Sequence, residues 1–212
     1  MTMTYLALTF TESVRRTQSA YYGQAFKIGD VPASDSLGAA ETEFIAARDS
    51  FYLGTVSENG WPYIQHRGGP AGFLRVLNST TLAFADYRGN RQLLTTGNLS
   101  FNDWVALFLM NYPKRERLKL LGHARLEDAR AHPELVAQMP DPSMTARVER
   151  VVFIDVVSFD WNCTKHITPR YTPAEIEELA GPLRARIDEL EAELRAVKAG
   201  ATLVREHARA LK

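Results

Sequence analysis

Two polar stretches carry most of the reactive residue types in this 212-residue chain. The first is Ala85-Asp86-Tyr87-Arg88-Gly89-Asn90-Arg91-Gln92. A strand-like run, Thr81 to Asp86, enters a polar corner containing glycine, and the corner opens a short helical stretch ending at Gly97. Strand, corner and helix start make an anion site, because the first N–H groups of a helix lack internal partners and lie along a dipole that favours negative charge. Arg91 adds a fork of donors, and Asn90 and Gln92 add amide donors, within what reads as the first turn. The plainer reading is that Arg88 and Arg91 are solvated charges on a connecting turn, and the octapeptide alone does not choose between the two.

The second stretch, Tyr63-Ile64-Gln65-His66-Arg67-Gly68-Gly69-Pro70, favours the anion site. As a strand it alternates, with Tyr63, Gln65 and Arg67 on one face and Ile64, His66 and Gly68 on the other. Neither face is plainly hydrophobic. Such a strand, ending in Gly-Gly where a backbone or ligand can come close, fits a polar ligand better than core packing.

The elements that must position these stretches read mainly as β. Composition is 45% hydrophobic and 10% aromatic, enough for a full core in one domain with appendages. Strands are predicted at Phe51 to Val56, Trp61 to Gly69, Arg75 to Leu77, Thr81 to Asp86, Trp104 to Met110, Arg117 to Leu126 and Val151 to Val157. Asn59-Gly60 signals a type I′ hairpin. The nearly continuous apolar run Trp104 to Met110 predicts burial on both faces. In the strand from Arg117, Leu118, Leu120 and Gly122 fall opposite Arg117, Lys119 and Leu121. Short strands joined by tight turns favour an antiparallel barrel.

Helices flank this core. Thr11 to Ala20 and His132 to Met139 read as short helices, Gly23 to Gly38 as a loop, and Ala39 to Arg48 as a helix that buries Phe44 and Ile45 and covers a barrel end. Thr172-Pro173-Ala174-Glu175 is a capping box with proline at the first helical position. Beyond it Ile176, Leu179, Leu183, Ile187, Leu190, Leu194 and Val197 form an amphipathic stripe, with a kink or fresh start expected at Pro182 and packing expected on the barrel or a partner subunit. The expected divisions are residues 1–38, an N-terminal helix and loop extension; 39–171, the barrel; and 172–212, a C-terminal helical extension.

Several function classes have no support. Twenty-five basic against 25 acidic side chains leave no net charge to draw the chain to nucleic acid or an anionic membrane. The one cysteine, Cys163, excludes an intrachain disulfide and reads as a small buried residue beside Trp161, which fits a reducing compartment. No leader and no run of the ~18 apolar residues of a spanning helix is found, so a soluble, cytoplasmic protein is expected. The five histidines are scattered, so no metal is expected, and no G-x-G-x-x-G, Walker or G-x-S-x-G motif is present.

Taken together, Gly-Trp-Pro-Tyr-Ile-Gln-His-Arg-Gly-Gly-Pro, Ala-Asp-Tyr-Arg-Gly-Asn-Arg-Gln and Gly-Asn-Leu-Ser-Phe-Asn-Asp resemble the pyridoxamine 5′-phosphate oxidase-like flavoproteins. Phe159-Asp160-Trp161-Asn162-Cys163 and His166-Ile167-Thr168-Pro169-Arg170-Tyr171 resemble a subgroup of flavin-nucleotide-binding proteins within that family. The resemblance implies a split β-barrel binding FMN at a homodimer interface to which both subunits contribute. It implies that Gln65, His66, Arg67 and Gly68 run beside the flavin ring and ribityl chain, and that Ala85 and Asp86 lie near the ring. Asn90, Arg91 and Gln92 fall where the family places a phosphate-binding Ser-Arg-Lys. Arg117 falls where a partner glutamine meets the flavin, and Trp161 and Arg170 match a tryptophan and an arginine near the ring.

Three departures qualify what the resemblance implies. Gln92 replaces a lysine, so Arg67 or Arg88 must supply the missing charge. Gln65 begins a strand that begins with arginine in the true oxidases. The Arg-x-His pair used there on the vitamin B6 substrate aligns with Ile167 and Pro169, which can neither bind phosphate nor transfer a proton. The expected function is an FMN-dependent oxidoreductase acting on a small molecule, with a non-catalytic flavin carrier or redox sensor as the alternative and pyridoxamine phosphate oxidation as a weaker one.

Overall fold

The computed structural model of the chain describes residues 2–138, 148–161 and 165–210, with 199–210 as backbone alone. The expectations for Met139 and Cys163 fall outside the described residues. Seven strands form one sheet: β1 Ser50–Val56, β2 Pro62–Gly68, β3 Arg75–Asn78, β4 Thr81–Tyr87, β5 Trp104–Asn111, β6 Glu116–Asp128 and β7 Val148–Trp161. Their order is β2-β1-β5-β6-β7-β4-β3, and every pairing is antiparallel. The long β6 and β7 span both halves, β6 pairing with β5 and β7, and β7 with β6 and β4. Strands β2 and β3 are the two edges of this split barrel.

Alternation sets the interior. Phe51 and Leu53 of β1, Leu107 and Leu109 of β5, and Leu118, Leu120 and Ala124 of β6 enter one core with Leu82, Phe84, Val152 and Ile154. Phe51 stacks on Phe73 and meets Phe84 edge-on, closing one end of that core. The helix predicted from Ala39 is α3, Ala39–Ala46, and it buries Phe44 and Ile45 as expected. Trp161 at the end of β7 packs edge-on against Phe44 and donates its Nε1–H to Glu41 Oε1 at 2.7 Å, which pins α3 to the barrel.

Two strands differ from expectation. In β5 only Val105, Leu107, Leu109 and Asn111 are buried, while Trp104 on the other face is 68% exposed. The apolar run is continuous because its second face is a surface of the single chain, not because a second layer covers it. Strands β4 and β7 are buried on both faces: Leu82, Phe84, Val152 and Ile154 enter the main core, while Ala83 and Ala85 join a second cluster with Val151, Phe153 and Leu135 of α5, Pro133–Ala137.

The turns also refine the sequence reading. Only Gly60 has positive φ in the β1–β2 turn; Gly60 N–H donates to Ser57 O and Ser57 N–H to Trp61 O, so the hairpin is a longer loop ending in a left-handed glycine rather than type I′. Between β6 and β7 the register slips at Leu121/Gly122, where Leu121 faces Ser158 and Gly122 faces Val156. The extra residue, Val157, offers its carbonyl to Asp35 N–H. Asp35 Oδ2 in turn accepts hydroxyl bonds from Thr2 (2.6 Å) and Ser158 (2.5 Å), which ties the start of α1, Met3–Thr9, and the following loop to β7. The second helix, α2, covers Glu12–Tyr22.

The chain divides into two compact units, Met1–Ile167 and Thr168–Lys212. The second holds α6, Pro173–Ala210. Its capping box forms as predicted, with Thr172 N–H on Glu175 Oε2 and Glu175 N–H on Thr172 Oγ1. No fresh start occurs at Pro182: the helix runs on, losing one N–H bond, that to the Glu178 carbonyl.

Candidate functional site

A polar cleft lies where β2, the end of β4, the start of β7 and the head of α4, Leu94–Phe101, meet. Its volume is about 110 Å³, it opens to solvent, and Gln65, Arg67, Asp86, Asn90, Arg91 and Gln92 of the predicted residues all line it. Alternation supplies the β2 wall. Register pairs Phe51 with Arg67, Leu53 with Gln65 and Thr55 with Tyr63, so all three polar side chains share the barrel's inner face.

The centre of the cleft is an ion-pair triad. Asp86 is buried, with Arg67 Nη1 2.9 Å from one carboxylate oxygen and Arg150 Nη2 2.9 Å from the other. The Arg67 pair joins edge strand β2 to β4 across the split, and Arg150 faces Asp86 directly in the β4–β7 register. Arg150 Nη2 also lies 3.2 Å from Glu149 Oε2, so two carboxylates balance the two guanidiniums, and Arg91 is the lining cation beyond that balance. Arg67 Nε is buried and has no hydrogen-bond acceptor among the described residues, a donor that an acceptor ligand would satisfy.

The corner differs from its predicted form. Helix α4 begins at Leu94, so Asn90 to Gln92 precede it rather than forming its first turn. The first intrahelical bond runs from Gly97 N–H to Leu93 O, so the N–H groups of Leu94, Thr95 and Thr96 come before it and lie at the cleft. Asn90 Oδ1 accepts Gln92 N–H at 3.1 Å and orders the approach. Arg91 and Leu93 both adopt left-handed backbone, at φ 64° and 53°, a conformation costing roughly 1–2 kcal/mol for such residues. Thr95 Oγ1 donates to Gln65 Oε1 at 2.7 Å, which occupies that oxygen and leaves the Gln65 amide NH2 as the group it can offer a ligand.

The other sequence-predicted residues lie elsewhere. His66 is on the outer face of β2, edge-on to Tyr52, and Gly68 shares that face. Ala85 points into the second apolar cluster, since alternation turns it away from Asp86. Arg88 pairs with Glu149 at 3.8 Å outside the cleft lining. Arg117 lies on the outer face of β6 with its guanidinium over the Phe108 ring. Trp161 stands eleven residues along β7 from Arg150, roughly 35 Å at about 3.3 Å per residue. Arg170 belongs to the second unit. The Gly-Gly step also has a packing cause: a Cβ on Gly69 would lie 2.8 Å from Phe73.

Arg150, Glu149 and Thr95 were missed as lining residues. The one sequence signal for Arg150 is a charge at the head of an otherwise apolar strand; its pairing with Asp86 depends on a register 64 residues away in sequence.

The fold and cleft define a split antiparallel barrel that presents Arg91 and helix N–H groups at its open side. A family model described as pyridoxamine 5′-phosphate oxidase matches residues 37–153. The match spans more than half the chain, and the chain belongs to that family. Solved structures are similar at a distance. HupZ of Group A Streptococcus is 14% identical with a TM-score of 0.44, covering 58% of this chain and 92% of its own. A Clostridium acetobutylicum protein related to general stress protein 26 is 16% identical at 0.46, covering 65% and 94%. An FMN-binding protein of Syntrophomonas wolfei is 12% identical at 0.42, covering 57% and 83%. No curated protein matches the chain. Among the described residues no helix is long and apolar enough to cross a membrane.

Proposed function

We propose that the cleft receives the phosphate end of FMN and that the chain is an FMN-dependent oxidoreductase acting on a small molecule in the cytoplasm. The observation that carries this is the corner beside the Arg67–Asp86–Arg150 cluster at the head of α4: it brings the exposed Arg91, a buried Arg67 Nε–H with no acceptor among the described residues, and helix N–H groups to one place. The cleft, about 110 Å³ and open to solvent, has room for a phosphate group, and the flavin ring would extend beyond it.

Arg91 and the N–H groups of Leu94 to Thr96 would hold the phosphate. Gln65 would offer its amide NH2 to the ribityl chain or ring, oriented by Thr95. Asp86 fixes the Arg67 guanidinium, which takes the role assigned to the missing lysine jointly with Arg150. FMN, when bound, supplies two-electron redox chemistry.

Arg117 and Trp161 lie far along the sheet from the cleft, so their participation requires a second copy. The outer face supports a homodimer: Ile64 is 70% and Trp104 68% exposed, beside Tyr52 and Phe108. In that dimer Arg117 of one chain would approach the flavin of the other.

FMN fluorescence titration followed by anaerobic reduction tests the proposal. Saturable binding and reduction by NAD(P)H support it. Binding without reduction by any donor reassigns the chain to the carrier or sensor class. Formation of pyridoxal 5′-phosphate from pyridoxamine 5′-phosphate is expected to be absent, because Ile167 and Pro169 replace the substrate pair.

A further inference from the structure

The long C-terminal helix carries a feature the flavin site does not use. Along α6 the apolar residues Ile176, Leu179, Leu183, Ile187, Leu190, Leu194 and Val197 recur every three or four residues, and from Leu183 to Val197 the steps alternate four and three, the 3.5-residue repeat of a coiled-coil seam. All seven are exposed, Leu183 at 67% and Ile187 at 54%. Pro182 lies at an outer position, away from this line.

We infer that α6 pairs with the α6 of a second copy of this chain as an antiparallel two-stranded coiled coil centred between Ile187 and Leu190. With Ile187 and Leu194 at position a and Leu183, Leu190 and Val197 at d, the flanking e positions are Glu177, Arg184, Glu191 and Lys198, and the g positions include Arg186 and Glu193. Antiparallel helices face e with e and g with g. Packing Ile187 against the partner's Leu190 and Leu183 against the partner's Leu194 then sets Arg184 against the partner's Glu191, Arg186 against the partner's Glu193 and Glu177 against the partner's Lys198. The two-fold axis repeats each attraction.

The charges also reject the neighbouring registers. A shift of one heptad in one direction opposes Arg184 and Arg186 to their own copies, and a shift in the other opposes Glu191 and Glu193 to theirs. A parallel pair in register keeps only the Arg186–Glu191 and Glu193–Lys198 attractions, so the antiparallel arrangement satisfies more of the pattern. Within one helix Arg186 already reaches Glu189 at 2.8 Å, Arg195 reaches Glu191 at 3.5 Å and Arg184 bonds Glu177, so the helix holds its form before pairing.

Disulfide trapping in the full chain tests this where the seam itself lies, whatever the barrels do. In a Cys163→Ser background, Ile187→Cys and Leu190→Cys are made separately, with Ala185→Cys on the outer side as control, and chains are co-expressed in pairs and mildly oxidised. The inference predicts linked dimer from the Ile187→Cys and Leu190→Cys mixture at roughly tenfold or more over either variant alone or the control, since a disulfide needs close Cα approach. Self-linking of Ile187→Cys or of Leu190→Cys would mean parallel helices and overturn it. Absence of linking above the control in every combination would mean that the helices do not pair, and would overturn it equally.

Discussion

At the scale of single residues, Asp86 is the shared acceptor of Arg67 and Arg150, and Asp86→Ala leaves the mostly buried Arg67 guanidinium without its carboxylate and Arg150 with Glu149 alone. That change is expected to cost about 3–5 kcal/mol in urea unfolding, the cost of orphaning buried charge. Arg91 is exposed and has no side-chain partner among the described residues, so Arg91→Ala should leave unfolding unchanged while weakening FMN binding by about ten- to a hundredfold, the loss of a charge-assisted bond. Fluorescence titration of the two variants separates a structural charge from a ligand charge. The residues of β2 were legible because alternation is local: Gln65 and Arg67 fall on one face from sequence spacing alone. Arg150 was not, because a long-range register decides what it faces.

At the scale of elements, backbone packing makes opposite predictions for the same substitution. A Cβ at Gly122 would lie 2.5 Å from the Asp155 carbonyl oxygen at the β6–β7 bulge, so Gly122→Ala should lower stability by about 1–3 kcal/mol. Gly97 sits inside α4 with no atom near its Cβ position, and Gly97→Ala should raise stability by about 0.5–1 kcal/mol. Differential scanning of the pair checks both signs. The bulge also has a pH signature. Burial raises the Asp35 pKa, but hydrogen bonds from Ser158 and Thr2 and from the Phe159 N–H outweigh it and hold it below the ordinary value. Its stabilisation is therefore complete above the unfolded aspartate pKa, about 3.9, and is lost as pH falls through the lower folded value. Asp35→Asn should reduce stability at neutral pH and flatten the acid side of the stability curve, measured by urea unfolding across pH.

The strands were read well from sequence because each is an alternating or apolar run bounded by turn residues. The start of α4 was misplaced because Leu93 and Arg91 take left-handed backbone, a conformation their residue types do not announce. Trp104 to Met110 reads as doubly buried because apolar residues on an uncovered outer face look like core until the chain is folded.

At the scale of the whole molecule, one chain holds a phosphate-sized cleft and an apolar outer face, and the proposed function needs both. Phe108 lies on that face beside Arg117, opposite Lys119 in the β5–β6 register. Phe108→Asp is expected to yield a folded monomer, by sedimentation and circular dichroism, that no longer retains FMN. A monomer that still binds FMN tightly would remove the second copy from the site.

The most direct measurement is the visible absorbance of the purified chain after incubation with excess FMN and thorough desalting, compared with Arg91→Ala. The wild-type chain is expected to keep flavin in proportion to protein, and the variant to lose it. A colourless wild-type chain, or a variant that keeps as much flavin as the wild type, would contradict the assignment of this cleft to FMN.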